Sequence, residues 1–266
     1  MAESERVAAL AGDVAGELKR LQGEVRSRPD DVKLRIYLFQ LLAVNGDWQR
    51  ALNQLQVCAQ LSASAIPMAQ TYREAIRCEV FRGEVFAGRR MPQILGEPPE
   101  WMGLMVQSLE KFALGHVAAA EDLRERALEQ APAKAGTIDG KAFEWIADAD
   151  SRLGPICEAI IDGKYYWVPF ERIVNLKVEA PTDLRDFVWV GAQFKLTTEA
   201  VQIALVPVRY PGSEASDREA IRLARMTTWV EAGPQTFAGV GQRMWATDVG
   251  EFALLDTREI AFAAAA

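Results

Sequence analysis

Apolar residues step by three and four through the first half of the chain and alternate in short bursts through the second. Val7, Leu10, Val14, Leu18, Leu21 and Val25 fall on one face of a helix. Leu34, Leu38, Leu41 and Leu42 do the same, as do Ala51, Leu52, Leu55 and Cys58. Met91-Pro92 and Glu97-Pro98-Pro99 break the chain before Trp101 restarts it. The spacing predicts a helical block over about residues 5–150.

Glycines punctuate that block: Gly12 before Asp13, Gly46 before Asp47, Gly115 before His116. The first interval is 34 residues and the second, 69, is two such periods plus one residue, the spacing of a tetratricopeptide-like repeat. Glycine ends one helix and lets the chain turn, and Ala51 or Ala120, five positions on, lets the next helix pack closely. Pro29 and Pro132 close their units because proline cannot continue a helix. A third unit near residue 80 has only Gly83, out of register. In such a stack the first helix of the Gly46 unit turns Lys33, Ile36, Gln40 and Ala43 toward a concave surface. That surface holds a peptide or helix, or else it is filled by the protein's own second half.

After Pro155 the pattern changes to strands. Ile156–Ile161, Asp162-Gly163 and Lys164–Val168 spell a β-hairpin with an Asp-Gly turn. Strands are expected at 174–179, 188–190, 201–208, 226–230, 243–246 and 252–255, and Ser216-x-x-Glu219 is a capping box for a short helix through Leu223. No long helix alternates with them, so the sheet is expected to be mainly antiparallel and curled. The expected fold is therefore multidomain α and β: a tetratricopeptide-like helical repeat domain over 1–150, then an α+β domain over 151–266.

A net charge of −7 argues against a general affinity for nucleic acid, although Arg82, Arg89 and Arg90 form a local basic cluster. The N-terminus is acidic and opens no signal peptide, and no apolar run reaches the roughly 18 residues of a membrane span. A cytoplasmic protein is expected. Cys58, Cys78 and Cys157 are widely spaced with His116 the one histidine, which supplies no ordinary zinc site. Cys58 and Cys78 are expected to act as small core hydrophobes.

The one cluster resembling an active site is Phe143–Pro155, with Asp148, Asp150, Arg152, Gly154 and Pro155. On a helix Asp148 and Asp150 would lie roughly 200° apart and could not grip one ion. A junction between domains is the plainer expectation. The enzymatic alternative is a metal-dependent hydrolase or transferase in which Glu144, Asp148, Asp150 and Glu158 converge at the seam. Motifs for a serine nucleophile, a zinc peptidase or a phosphate loop do not occur, and Gly239-Val240-Gly241 lies between expected strands. No cofactor, metal or catalytic residue is expected, and Tyr166, Trp167, Trp189, Trp229 and Trp245 are expected in the core or at its rim.

Several stretches in order resemble the ImpE family, also called TagJ or SciE, an accessory component of bacterial type VI secretion. They are Leu38–Leu42 with Gly46-Asp47-Trp48, then Phe143–Asp150 with Arg152–Pro155, then Gly163-x-Tyr165-x-Trp167-x-Pro169-Phe170. Leu184-Arg185-Asp186, Pro207-x-Arg209-Tyr210-Pro211 and Gly239-x-Gly241-Gln242-Arg243-Met244 complete the series. The resemblance implies a non-enzymatic cytoplasmic adaptor. Its implied partners are the small subunit of the contractile sheath, through that subunit's N-terminal helix, and the AAA+ ATPase that disassembles contracted sheath. It carries over no catalytic residue; Trp167, Arg185, Asp186, Arg209, Tyr210, Gln242 and Arg243 match family stretches as structural positions.

Overall fold

The computed structural model describes residues 13–263. Val7, Leu10 and Gly12 lie outside that range, whereas Asp13 caps the first helix by accepting the Gly16 N–H at 2.7 Å. The helices are α1 (Val14–Ser27), α2 (Val32–Val44), α3 (Trp48–Leu61), α4 (Ile66–Phe86), α5 (Glu100–Ala113), α6 (Val117–Gln130) and the short α7 (Glu219–Arg222). α2 turns into α3 at Gly46, with φ of 70°, and Asp47 then caps α3 through the Arg50 N–H. α5 turns into α6 at Gly115, with φ of 79°. Ala51 and Ala120 are buried where the paired helices meet. The unit expected near residue 80 is instead one 21-residue helix, α4, with Gly83 inside it. A helix of that length leaves no turn for a hairpin.

The helical block ends at Gln130, not near 150. Strands follow at once: β2 (Gly136–Ile138), β3 (Lys141–Phe143) and β4 (Ile146–Asp148). The end of the expected helix, residues 143–150, is therefore strand and turn. Asp139-Gly140, at φ of 48° and 80°, closes the β2–β3 hairpin just as Asp162-Gly163, at 49° and 72°, closes β5 (Ile156–Ile161) and β6 (Lys164–Pro169). The two-residue signal is the same at both places, and at the first it prevails over the extrapolated helical period.

The remaining strands are β1 (Gln93–Ile94), β7 (Ile173–Val178), β8 (Trp189–Leu196), β9 (Val201–Pro207), β10 (Thr227–Gly233), β11 (Thr236–Gly241), β12 (Met244–Thr247), β13 (Gly250–Ala253) and β14 (Glu259–Phe262). The main sheet has nine strands in the order β1-β6-β5-β9-β8-β7-β14-β2-β3, antiparallel except for the short β1–β6 pairing. Smaller sheets are β10-β11 and β13-β12-β4. Gly239-Val240-Gly241 thus lies inside β11 rather than between strands. The Ser216 capping box does not form: α7 starts after Arg218, and Ser216 Oγ accepts the Arg218 N–H instead. The chain is an α+β fold whose N-terminal part is helical.

Both faces of the main sheet are covered. Ile156, Ile160, Trp167 and Trp189 meet Leu38, Phe39, Leu42 and Ile76 from the helices in one core. Cys157, Ala159, Ile161, Val168 and Phe194 face a second core with Phe170, Trp245 and Ile260. Strand β5, buried along its whole length, alternates between the two. The helical and strand halves share the first core, so the helices bury their apolar face on the sheet.

Candidate functional site

Position 158 of β5 faces the helices, and there the sequence places a glutamate between Ile156 and Ile160. Its carboxylate is fully buried and is clasped by Arg82 from α4, with Nε and Nη2 donating at 2.6 and 2.7 Å. Arg243, just before β12, donates to the same carboxylate and to Asp148 at the end of β4. Its Nε donates to the Pro207 carbonyl at 3.0 Å. Tyr165 OH also donates to Glu158, and Trp167 Nε1 donates to that hydroxyl at 2.8 Å. Tyr210 OH donates to Asp148 at 2.9 Å, and the Asp150 N–H completes the Asp148 shell. The network joins one helix, two sheets and the 208–210 segment.

Burial works to raise the Glu158 carboxyl, but the guanidinium groups of Arg82 and Arg243 outweigh it and hold the acid down to about 2. For Asp148 burial dominates: against the pull of Arg243 and with Asp150 adding to the rise, its carboxyl is pushed up to about 7. Arg243 is raised above its ordinary value, because Asp148 and Glu158 outweigh the effect of burial. Burial brings Arg209 down to about 10.

The family-matched residues are tied into the same frame. Asp150 accepts from Arg152 Nη2 at 2.5 Å and from the Gly239 N–H at 2.9 Å, which fastens the seam to β11. Gly154 sits at φ of 60° and its carbonyl accepts the Asp148 N–H, while the Pro155 carbonyl accepts from Phe170. Arg209 donates to the carbonyls of Ala43, Val44 and Arg222, so it terminates α2 and α7 together. Gln242 donates to the Ala224 carbonyl and accepts the Leu255 N–H. Asp186 accepts from the N–H groups of Thr182 and Asp183, and Arg185 pairs with Asp183 while lying 4.9 Å over the Tyr72 ring.

The four seam carboxylates do not converge. Glu158 and Asp148 are separated by Arg243, Asp150 turns toward Arg152, and Glu144 is exposed beside Asp248. Among the described residues no group of three His, Cys, Asp or Glu side chains is arranged to hold a metal. Asp148 does line a cleft of about 470 Å³ with Leu128, Trp145 and Pro155, but its oxygens are already taken. The basic cluster is also dispersed, since Arg82 is buried in the network and Arg89 pairs with Glu84. All three cysteines are buried, and burial raises Cys58 to about 11.

The expected concave face is not a free surface. Gln40 and Ala43 are buried: Gln40 Oε1 accepts the Leu184 N–H at 3.2 Å, and the Ala43 carbonyl accepts from Arg209. Lys33 stays exposed and Ile36 half-buried, so the four residues do not act as one face. Arg209, the residue before Tyr210 in the strand half, is what closes it.

An open groove lies instead on the next helix pair. Trp48 and Leu52 of α3 face Ile76 and Val80 of α4 across about 560 Å³, bounded by Gly46, Asp47, Gln49 and Arg77. Trp48 and Leu52, four residues apart and half-buried, form one wall, Val80 stands on the other, and the fully buried Ile76 closes the base. Val80 is 52% exposed. Trp48 also touches Trp189, with ring centroids 5.8 Å apart, which fixes the groove floor to the sheet. The apolar spacing of α3 was legible in the sequence. The partnership with α4 was not, because it depends on α4 running unbroken.

Residues 140–261 match the ImpE protein family. Over 252 residues the chain is 50% identical to the type VI secretion system accessory component TagJ of Pseudomonas aeruginosa strain PAO1, covering 95% of this chain and 88% of that protein. The chain belongs to the ImpE/TagJ family. A crystal structure of a Vibrio parahaemolyticus protein superposes with a TM-score of 0.87 over 97% of both chains at 23% identity, and so shares the fold. The family match spans the strands that carry Asp148, Glu158 and Arg243, and the identity to the Pseudomonas protein extends through the helices that complete their network. None of the described helices is long and apolar enough to cross a membrane.

Proposed function

We propose that this chain is a non-enzymatic, cytoplasmic adaptor of a type VI secretion machine. It holds an amphipathic helix from the small sheath subunit in the groove between α3 and α4. The rest of its surface is free for the AAA+ ATPase that disassembles contracted sheath. The supporting observation is the groove itself: the Trp48–Leu52 ridge of α3 and the exposed Val80 of α4 stand over a buried Ile76 and offer an apolar channel to the ridge of a third helix, with Trp48 as a rigid anchor. The name of the Pseudomonas relative supports the secretion context. A carboxylate-based hydrolase gains no support from acids that do not converge: Asp148, Asp150 and Glu158 are engaged by arginine and by backbone or tyrosine donors, and Glu144 is exposed away from them.

Calorimetric titration of the full chain with a peptide copied from the N-terminal helix of the sheath subunit tests this reading. One-to-one binding is expected, weakened at least about tenfold by Val80→Asp or Leu52→Glu and unchanged by Val201→Asp on the remote strand β9. Absence of binding, or binding indifferent to both groove variants, overturns it.

A further inference from the structure

The hairpin β10–β11 carries an edge with which no described strand pairs. The Gln242 N–H donates to the Met226 carbonyl at 3.0 Å, directly opposite it in the register that continues as Thr227↔Gly241 and Thr228↔Val240. Hydrogen-bonded pairs alternate along an antiparallel ladder, so Thr228 and Val230 bond inward to β11 while Trp229 and Glu231 turn their N–H and C=O groups outward. The other strand obeys the same phase. Phe237, Gly239 and Gly241 turn outward from β11, and the N–H of each donates to the body of the protein, to Ser151, Asp150 and Ser213, while the Phe237 and Gly241 carbonyls accept from the Ser151 and Tyr210 N–H groups. On the β10 side, among the described residues, nothing pairs with the outward groups of Trp229 and Glu231.

The side chains around this edge are apolar and open. Val230 is 52% exposed, Phe237 45% and Trp229 37%. Natural edges are blunted by lysine, proline or an early bulge. Here the bulge comes only after Glu231, and no proline or lysine lies between Thr227 and Gly233.

We propose that this edge is a docking surface for a second copy of the same chain, joined β10 to β10 in antiparallel register about a two-fold axis through Val230. The edge is complementary to itself. In that register Trp229 lies opposite Glu231 of the other copy, and both are outward residues, so the two equivalent pairs exchange four main-chain hydrogen bonds. Val230 meets Val230 of the other copy in a non-hydrogen-bonded pair, where side chains approach most closely, and covers the most exposed apolar residue of the hairpin. Each Glu231 falls beside a tryptophan rather than beside the other Glu231, so no like charges oppose. The contact is one strand wide, well below the roughly 1,200 Å² of a stable interface, and the chain carries −7. The dimer is accordingly weak and strengthens with salt.

Sedimentation of the full chain between about 1 and 500 μM, with hydrogen exchange read at single amides, tests the proposal. A reversible monomer–dimer equilibrium is expected, with the Trp229 and Glu231 amides slowed at least about tenfold as dimer accumulates. Glu231→Pro removes one outward N–H, and Val230→Asp sets two charges together at the axis. Each is expected to weaken dimerisation by at least about tenfold, and Val230→Asp, at an exposed site, leaves folding intact. A monomer throughout the range overturns the proposal. So does a dimer that tolerates both variants while the two amides exchange freely, as well as capture of the edge only by an extended segment of another protein.

Discussion

The junction around Glu158 and the groove between α3 and α4 invert each other's properties. At the junction Arg82, Glu158, Arg243 and Asp148 gather four formal charges with almost no solvent contact. At the groove Val80 is exposed and Trp48 and Leu52 are half-buried over a buried Ile76, and the flanking charges of Asp47 and Arg77 are engaged by neighbours in their own segments. The residues that look most like chemistry are therefore the ones whose polar atoms the protein itself already engages, and some of those that look like ordinary packing are accessible. Buried charge in this chain orients β4, β5 and β12 against α4. Exposed apolar surface is where the proposed recognition takes place.

The sharpest way to break this contrast is to remove the central guanidinium. Arg243→Ala leaves Asp148 and Glu158 buried without their shared partner, which costs about 3–5 kcal/mol in urea unfolding. A loss under about 1 kcal/mol would mean that the junction is wet and open to ligands.

Acidity separates the two carboxylates next. Glu158 has a folded value of about 2 against an ordinary 4.5, so its contribution is present above 4.5 and is lost as pH falls toward 2, on the order of 3 kcal/mol. Asp148, raised from 3.8 to about 7, has the opposite sign: the folded state binds its proton more tightly, and stability falls as pH rises between those values. Urea midpoints across pH 2.5–8 are expected to rise and then decline, and Asp148→Asn is expected to flatten the declining limb.

The smallest effect belongs to the groove. Val80→Asp, at a 52% exposed position, should change unfolding stability by no more than about 0.5 kcal/mol while its effect on helix binding is large. Thermal melts beside the titrations check this. A large destabilisation would show that the groove is core rather than surface.

How much of this was legible in the sequence follows from the range of each signal. Asp162-Gly163 gave the β5–β6 hairpin at once, because a two-residue turn needs only its own positive φ values. Gly46-Asp47 likewise gave the α2–α3 turn, with glycine ending one helix and aspartate capping the next. Asp139-Gly140 carries the same message, and it prevails over the extrapolated helical period, which predicts a helical block about 20 residues longer than the one that forms. Arg82 looked like part of a surface cluster because nothing local says that residue 158, 76 positions away, will face it.

Local order, then, was determined by the sequence alone: helices from three-and-four spacing, hairpins from Asp-Gly pairs, and family membership from the seam and strand motifs. Tertiary structure alone decided which surfaces remain. Arg209 reaches the carbonyls at the end of α2 and closes the face that helical periodicity had left open, and α4, running unbroken past Gly83, opens another beside α3. The reason is physical. Amphipathic spacing says that a face will be buried but not by what, and a buried carboxylate takes its partner from whichever element the fold brings within hydrogen-bond reach.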